Sequence, residues 1–237
     1  MNEQHHHIVK SHDDEQNALL DELIRMGRMA ATQLEDALAV VERRDDTAAR
    51  QVVAGDDAID ALERQINHDV IHLIRRGPLA GDLRIILAAL RVAADIERIG
   101  DYAANIAKRS LALNHSHALP DTRGVRMLGK LAVQQVRDVL DAYLARDGET
   151  ALRVRANDVE LDTLYTGLFR ELLTYMMEDP RTITACSHLM FMAKNIERAG
   201  DHVTNIAELV SFRTSGHGFD EMRPKGSAAL YAAGNTP

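Results

Sequence analysis

The sequence predicts an all-α protein made of two tandem, pseudo-symmetric three-helix bundles. The chain of 237 residues contains only five Pro and 14 Gly, and its apolar residues recur at spacings of three and four, the period of one helix face. A six-residue phrase, IERIGD at 96–101, returns as IERAGD at 196–201. A motif that returns within a chain indicates a repeated structural unit.

Six long helices are expected. The first carries Leu19, Leu23 and Met26 along one apolar stripe. The second is followed by Gly77 and Pro78, a combination that ends helices because Gly adopts left-handed conformations and Pro cannot continue a helix. The predicted helices span residues 13–44, 46–76, 81–113, 122–146, 149–177 and 181–212.

Three segments lie outside these helices. Residues 1–12 are polar and His-rich, and we expect a flexible N-terminus there. Residues 114–121, NHSHALPD, have turn-forming composition and are expected to link a first bundle at 13–113 to a second at 122–212. Residues 213–237 are rich in Gly, Ser and Pro without periodicity, which predicts a disordered tail.

The two bundles show internal similarity beyond the six-residue phrase. DIERIGDYAANIA at 95–107 and NIERAGDHVTNIA at 195–207 agree at eight of 13 positions. Upstream, AGDDAID at 54–60 resembles ANDVELD at 156–162. These matches predict that the second and third helices of each bundle occupy equivalent places.

Composition narrows the classes of partner. The chain has 28 Lys plus Arg against 36 Asp plus Glu, a net charge of -8, and no Trp, which disfavours nucleic acid as a partner. No apolar run approaches the roughly 18 residues of a membrane span, and the polar opening does not resemble a signal peptide. The single cysteine, Cys186, fits a reducing compartment, so we expect a cytoplasmic protein.

Acidic residues four apart are the candidate binding residues. In the third helix, Glu97 and Asp101 lie one turn apart on one face and flank the apolar seam. One such pair means little among 36 acidic residues, but four pairs recur at equivalent positions, two in each bundle. Their members are Asp56, Asp60, Glu97, Asp101, Asp158, Asp162, Glu197 and Asp201.

Like charges at this spacing destabilise a helix, so a cation is expected to compensate them. Metal ions such as Mg, Mn or ferric iron accept carboxylate oxygens readily. Arg98 and Arg198 offer an alternative, in which the pairs form a solvated acidic edge without metal.

An enzyme is not expected. The sequence has no glycine-rich phosphate loop, nucleophile elbow or zinc signature. The Glu-x-x-His spacing of ferritin-like di-iron proteins occurs only at Glu3 and His6, near the N-terminus. A carboxylate-bridged metalloenzyme therefore remains a secondary alternative.

The repeated segments IERIGDYAANIAKR and NIERAGDHVTNIAE resemble the paired signature of the PhoU family, an accessory and regulatory component of the bacterial phosphate-specific transport system. The opening segment, from HIVKSHDD to QLEDAL with its Met26-Gly27 step, is also similar, and the resemblance extends over residues 7–212. Two departures are His12, where an aromatic residue is expected, and Lys194, where the first repeat has Ala94.

This resemblance implies two similar three-helix bundles with multinuclear metal sites at the E(D)xxxD motifs, that is, at the eight carboxylates given above. Iron, zinc, manganese and magnesium are the candidate ions. The resemblance also implies a negative regulator of the phosphate-starvation response, which connects the transporter ATPase subunit to a phosphate-sensing histidine kinase. Such a protein would meet the membrane only through these partners, and formation of a homodimer stays open. A metal-free helical scaffold is the alternative.

Overall fold

The computed structural model describes the backbone of residues 3–78, 80–116 and 120–215, and the side chains of 14–78, 81–116 and 120–214. These residues form six α-helices and a short 3-10 turn, without a strand among them. The helices are α1 (Glu3–Arg43), α2 (Asp46–Arg75), α3 (Ala80–Leu113), α4 (Arg123–Ala145), α5 (Gly148–Glu178) and α6 (Ile183–Ser215), and the 3-10 turn is Pro180–Thr182. The predicted all-α fold of two pseudo-symmetric bundles is confirmed.

The second helix of each bundle, α2 or α5, begins in the same way. Asp45 precedes α2 and accepts a hydrogen bond from the backbone N–H of Ala48 at 3.0 Å. Asp147 precedes α5 and accepts hydrogen bonds from the N–H groups of Glu149 and Thr150, both at 3.0 Å. A side-chain oxygen at this position satisfies amides that have no partner within the helix. Both bundles therefore use an Asp to fix the start of their second helix.

The two bundles share one core. α1, α2 and α3 pack together, as do α4, α5 and α6, and the bundles meet where α1 contacts α4 and α3 contacts α6. α2 and α5 lie on the outer sides, and in the described part of the chain they do not touch each other. α2 packs against α3, and α5 packs against α6. The two helices that carry the acidic pairs of each bundle are therefore neighbours.

Apolar residues within the acidic motifs anchor these helices. Ile59 of α2 and Leu161 of α5 separate the carboxylates of their pairs and are 1% and 0% exposed. Ile96 and Ile196, which precede the glutamates of the repeated phrase, are fully buried as well. Burial of these side chains is worth roughly 1.5–3 kcal/mol each and holds the adjacent carboxylates at the edge of the core.

Some predicted boundaries differ from the structure. α1 begins at Glu3, ten residues before the predicted start at 13, because no Gly or Pro interrupts the polar segment and helical structure continues through it. α6 continues to Ser215, past the predicted start of the tail at 213, and residues 216–237 lie outside the described residues. The predicted linker coincides with the break between α3 and α4, of which 117–119 are outside the described residues.

Candidate functional site

The acidic pairs of the first bundle come together between α2 and α3. Burial raises the pKa of Asp56 above its ordinary value, and the charges of Asp101 and Asp60 raise it further, against a hydrogen bond from Gln33 and the charge of Lys108. Asp56 is thus electrostatically coupled to a carboxylate of α3 as well as to one of its own helix.

Glu97 joins the same acidic group from α3. Burial is the main cause that raises its pKa, and the charges of Asp101, Glu63 and Asp60 add to that effect, while Arg98 opposes it. The charges of the four acidic residues that the sequence predicted for this bundle thus act on one another between α2 and α3. The structure adds Glu63, which the spacing of the pairs did not single out.

Gln33 of α1 is a polar residue of the site that sequence reasoning missed. Its side chain is buried, and Nε2 donates hydrogen bonds to the Val52 carbonyl at 3.1 Å and to Asp56 Oδ1 at 3.3 Å. Gln33 Oε1 is buried without a hydrogen-bond partner among the described residues. A Cβ at Gly100 would lie 3.2 Å from this Oε1 and 3.3 Å from Asp56 Oδ1. The absence of a side chain at Gly100 leaves these two oxygens facing its backbone.

The second bundle repeats this arrangement. Asp158 of α5 is buried, and a Cβ at Gly200 of α6 would lie 3.6 Å from Asp158 Oδ1 and 3.7 Å from Gln135 Oε1. Gln135 lies 102 residues after Gln33, the same interval that separates Asp158 from Asp56. This shared interval is a sequence signal by which both glutamines could have been found.

Glu197 is the most buried of the glutamates in the two motifs. Burial raises its pKa, and the charges of Asp201 and Asp162 act in the same direction, while a hydrogen bond and the charge of Lys194 lower it. The four predicted acidic residues of the second bundle are thus also placed on facing helices, with an ammonium group beside them.

Basic residues contact the acidic pairs in both bundles. Arg98 Nε lies 3.3 Å from Glu97 Oε2, and Arg98 Nη1 lies 2.9 Å from Asp101 Oδ2. In the second bundle Lys194 Nζ lies 2.5 Å from Glu197 Oε2. The arginine partner expected for a solvated acidic edge is therefore present in the first bundle, on a side chain that is 56% exposed.

The donor atoms of the sites suit a hard cation, because they are carboxylate oxygens and, in the first bundle, a free amide oxygen. In the described ranges, no three His, Cys, Asp or Glu side chains converge closely enough to hold a metal ion. A cation between α2 and α3 would therefore require the partly exposed carboxylates to turn toward one another. The prediction of metal at the eight carboxylates stays a prediction.

His202 forms a contact between the bundles that the sequence did not reveal. Its Nδ1 lies 2.7 Å from Oδ1 of Asp95 in α3, and its Nε2 lies 3.4 Å from the Tyr102 hydroxyl. Asn205 Nδ2 also donates to Asp95 Oδ1 at 3.3 Å. The two repeats differ here, because Asp95 corresponds to Asn195 and His202 corresponds to Tyr102. Asp95 and His202 thus meet across the boundary between the bundles.

The fold and the duplicated site define a class of protein: a tandem repeat of three-helix bundles, each with carboxylates on two facing helices. No helix in the described ranges is long and apolar enough to cross a membrane. A family model described as PhoU domain matches the chain twice, at residues 23–110 and 125–210. The chain belongs to the PhoU family, as its repeated motif indicated.

Named relatives resemble the chain over nearly its whole length. A "Phosphate-specific transport system accessory protein PhoU homolog" of Xylella fastidiosa is 62% identical over 219 residues, 92% of each chain. A protein of the same name from Caulobacter vibrioides is 47% identical over 221 residues, covering 92% of this chain and 96% of its own. The crystal structure of PhoU from Pseudomonas aeruginosa is 35% identical with a TM-score of 0.84, over 86% of this chain and 99% of that one.

Proposed function

We propose that this chain is a non-enzymatic adaptor of a phosphate-specific transport system, which represses phosphate uptake and the phosphate-starvation response when phosphate is plentiful. The proposal rests on the match, over 92% of both chains, to a relative named as an accessory protein of that system. The absence from the sequence of a nucleophile motif or phosphate loop favours regulation through partners over catalysis.

The proposed partners are the ATPase subunit of the phosphate transporter and a phosphate-sensing histidine kinase. Both belong to membrane complexes, so the chain would reach the membrane surface from the cytoplasm through them. A net charge of -8 favours basic protein surfaces and disfavours nucleic acid. Formation of a homodimer is compatible with this role.

Metal binding at the acidic motifs is the second part of the proposal. The carboxylates would bind iron, zinc, manganese or magnesium at one site in each bundle, with Asp56, Asp60, Glu97 and Asp101 in the first and Asp158, Asp162, Glu197 and Asp201 in the second. The raised pKa values of Asp56 and Glu97 support it, because burial and mutual repulsion there would be relieved by a cation. A bound cation would also change the charge that the surface presents to partners.

A metal-free scaffold is the competing proposal. It is favoured by the finding that, within the described residues, no three potential ligands converge on one point. In this case Arg98 and Lys194 compensate the carboxylates, and docking depends on shape and charge alone.

The test is deletion of the gene in a bacterium without a second copy, followed by measurement of a phosphate-starvation reporter in phosphate-rich medium. The deletion should leave the reporter expressed, and the wild-type gene should restore repression. Normal repression in the deletion strain would refute the regulatory role.

A complementing variant separates the two mechanisms. Asp101→Asn combined with Asp201→Asn keeps the shape of both side chains and removes a carboxylate from each site. If this variant represses as the wild type does and binds as much metal, the metal proposal is wrong and the scaffold is supported.

A further inference from the structure

Aromatic side chains are scarce in this chain, and three of them are grouped on the second bundle. Among only four Phe and five Tyr, Tyr165 and Phe169 stand one turn apart on α5, with ring centroids 6.3 Å apart. Lys194 of α6 has its Nζ 5.4 Å from the centroid of the Tyr165 ring, and Phe191 precedes Lys194 by about one turn. The three rings therefore lie on neighbouring helices, and Phe191 is 56% exposed.

Arg109 of α3 reaches across the boundary between the bundles to this exposed ring. Its Cζ lies 4.1 Å from the centroid of Phe191, which is the distance of a cation–π contact. Within the described residues, the Arg109 guanidinium makes no ion pair and no hydrogen bond. Its planar set of N–H donors is thus held against the ring and stays available to a ligand. We call Tyr165, Phe169, Phe191 and Arg109 the Phe191 surface.

The groups around Arg109 leave its charge without compensation. Burial and the charge of Arg109 lower the pKa of His188, and no carboxylate opposes this effect, so negative charge is lacking beside the guanidinium. Lys194, by contrast, is compensated, because its Nζ lies 2.5 Å from Glu197 Oε2. Arg109 is therefore the positive group of the Phe191 surface that an external anion would neutralise.

The two ends of the boundary between α3 and α6 differ in charge. At one end, Arg91, Asp95 and Glu208 line a groove, and its carboxylates outnumber its arginine. Lys108, which stands 100 residues before Glu208, is the equivalent residue at the end that carries Phe191. Lys108 lies near Asp56 and lowers the pKa of that carboxyl, so part of its charge is used within the chain. The Phe191 end is nevertheless the more basic of the two.

The internal repeat shows that the three-helix fold does not require the Phe191 surface. The equivalent positions lie at the intervals of 102 and 100 residues that relate the acidic pairs. In place of Tyr165, Phe169, Phe191 and Arg109, they hold Glu63, Asn67, Arg91 and Leu209. A bundle of the same fold thus forms with polar residues at all three aromatic positions. Exposed aromatic groups that folding does not need are typical of binding surfaces.

The chemistry of the Phe191 surface fits a protein partner best. Phe, Tyr and Arg are enriched at the centres of protein–protein interfaces, where aromatic rings exclude water from charged contacts. Nucleic acid is disfavoured, because its phosphates would lie beside Glu197 and meet a chain of net charge -8. An anionic membrane attracts clusters of about four to eight basic residues, whereas this surface has one arginine without a partner.

We propose that the Phe191 surface is the docking site for a segment of a partner protein that combines a carboxylate with a large apolar side chain. The carboxylate accepts paired hydrogen bonds from Arg109, and the apolar side chain covers Phe191. Because the guanidinium is already held against the ring, little of its freedom is lost on binding. This inference rests on the proposed adaptor function and assigns one of its partners to a defined surface.

Binding to purified partners tests the surface directly. The full-length chain is measured by biolayer interferometry against the transporter ATPase subunit and the cytoplasmic part of the histidine kinase from the same bacterium. Phe191→Ala and Arg109→Ala should each raise the Kd for the partner that uses this surface by at least about ten-fold, the effect of removing an interface anchor. Arg91→Ala, at the equivalent position, and Met127→Ala, at a position of α4 that is 59% exposed, should bind as wild type does.

A photo-crosslinking amino acid identifies the class of partner in living cells. It is placed at position 191 and, as the matched control, at position 91. Position 191 should form an adduct with a protein, which mass spectrometry should map to a segment with acidic and apolar residues. Arg109→Ala should remove this adduct, and position 91 should not form it.

Phe191→Glu is the second variant, and circular dichroism verifies that each protein folds. An exposed charge is tolerated at the equivalent position, Arg91, and a carboxylate beside Arg109 should displace that of the partner and weaken binding at least as much as Phe191→Ala. Wild-type affinity of these variants for both partners would overturn the inference, as would an adduct with lipid or nucleic acid, equal adducts at 191 and 91, or no adduct. If wild type binds neither purified partner, the proposed adaptor function fails, whereas an Arg109-dependent protein adduct at 191 still supports the docking surface.

Discussion

Leu140 of α4 packs directly against Gly27 of α1, where a Cβ would clash with both methyl groups of the leucine. The contact is reciprocal across the pseudo-symmetry, because Leu38 of α1 packs in the same way against Gly129 of α4. Both leucines are buried, at 3% and 8% exposure. The two glycines therefore allow α1 and α4, the first helices of the two bundles, to pack closely against each other.

Gly27→Ala and Gly129→Ala should each destabilise the protein. Overpacking of a filled core costs about 1–3 kcal/mol, which exceeds the roughly 1 kcal/mol that alanine gains over glycine in helix propensity. Gly167→Ala is the matched control, since nothing lies within 4 Å of its Cβ in the middle of α5, and it should stabilise by about 0.5–1 kcal/mol. Denaturant unfolding measures the three values, and a Gly27→Ala protein as stable as the control would contradict the contact.

The contact of Asp95 with His202 should stabilise the docking of one bundle on the other. We expect Asp95→Ala and His202→Ala each to lower the free energy of unfolding by about 1–2 kcal/mol, because both side chains are mostly buried and hydrogen-bonded. A double-mutant cycle should give a coupling energy of about 1 kcal/mol. Asp141→Ala, at an exposed position of α4, should change stability by less than about 0.5 kcal/mol. Additive effects of the two substitutions would show that the pair contributes nothing.

The sequence predicted the fold well because its signals are local or periodic. The apolar stripes and the interval between IERIGD and IERAGD depend only on spacing along the chain, and they were sufficient to predict six helices in two bundles. The same spacing put Glu97 and Asp101 on one face at the edge of the core. The sequence signals that mark the start of a helix were weaker. The polar first residues of α1 were therefore predicted to be flexible.

Residues whose role depends on tertiary contacts were not predictable in this way. Taken alone, Gln33 has the same sequence appearance whether its side chain faces solvent or the core, and only the comparison with Gln135 at the same interval of 102 residues distinguishes it. Asp95 and His202 are 107 residues apart, and no local pattern indicates that they meet. The difference at Lys194 was visible in the alignment of the repeats, but its contact with Tyr165 required the packing of α5 on α6.

Arg146 and Arg44 occupy equivalent left-handed positions at the ends of α4 and α1, each with φ 55°. A left-handed conformation is strained for arginine and natural for glycine, so Arg146→Gly should stabilise the protein by up to about 1 kcal/mol. Arg44→Gly should be less stable than Arg146→Gly by at least about 1 kcal/mol, because Arg44 Nη2 donates to the carbonyls of Asn114 and Ser116 at 2.6 Å and 3.2 Å. Thermal and denaturant unfolding compare the two proteins, and equal gains would mean that the contacts of Arg44 are unimportant.

The buried carboxylates should make the metal-free protein less stable as the pH rises from mildly acidic values. Burial raises the pKa of Asp56, Glu97 and Glu197 in the folded state above ordinary values of 3.8 and 4.5, so the folded protein holds these protons more tightly than the unfolded chain. The contribution of these three groups to the free energy of unfolding is greatest at pH values below their ordinary pKa values. It declines as the pH rises through their raised pKa values in the folded protein. Below the ordinary value of Asp, the opposite effect of the lowered pKa values of Asp147 and Asp179 sets in.

The contrast between two equivalent glutamates tests this account. Glu97→Gln removes a charge that three other carboxylates repel and that the more exposed Arg98 attracts, and the raised pKa of Glu97 indicates that burial and repulsion prevail. Relief of such repulsion is worth about 0.2–0.5 kcal/mol per pair, so the variant should be more stable than wild type at about pH 7.5 and similar at about pH 4.5. Glu197→Gln also removes a charge, but it breaks the ion pair with Lys194 Nζ at 2.5 Å, and because the lysine side chain is 40% exposed this loss is modest, so the variant should stabilise less than Glu97→Gln does. Denaturant unfolding in chelator-containing buffers across this range measures both. If the two substitutions shift the pH dependence equally, Lys194 does not compensate Glu197.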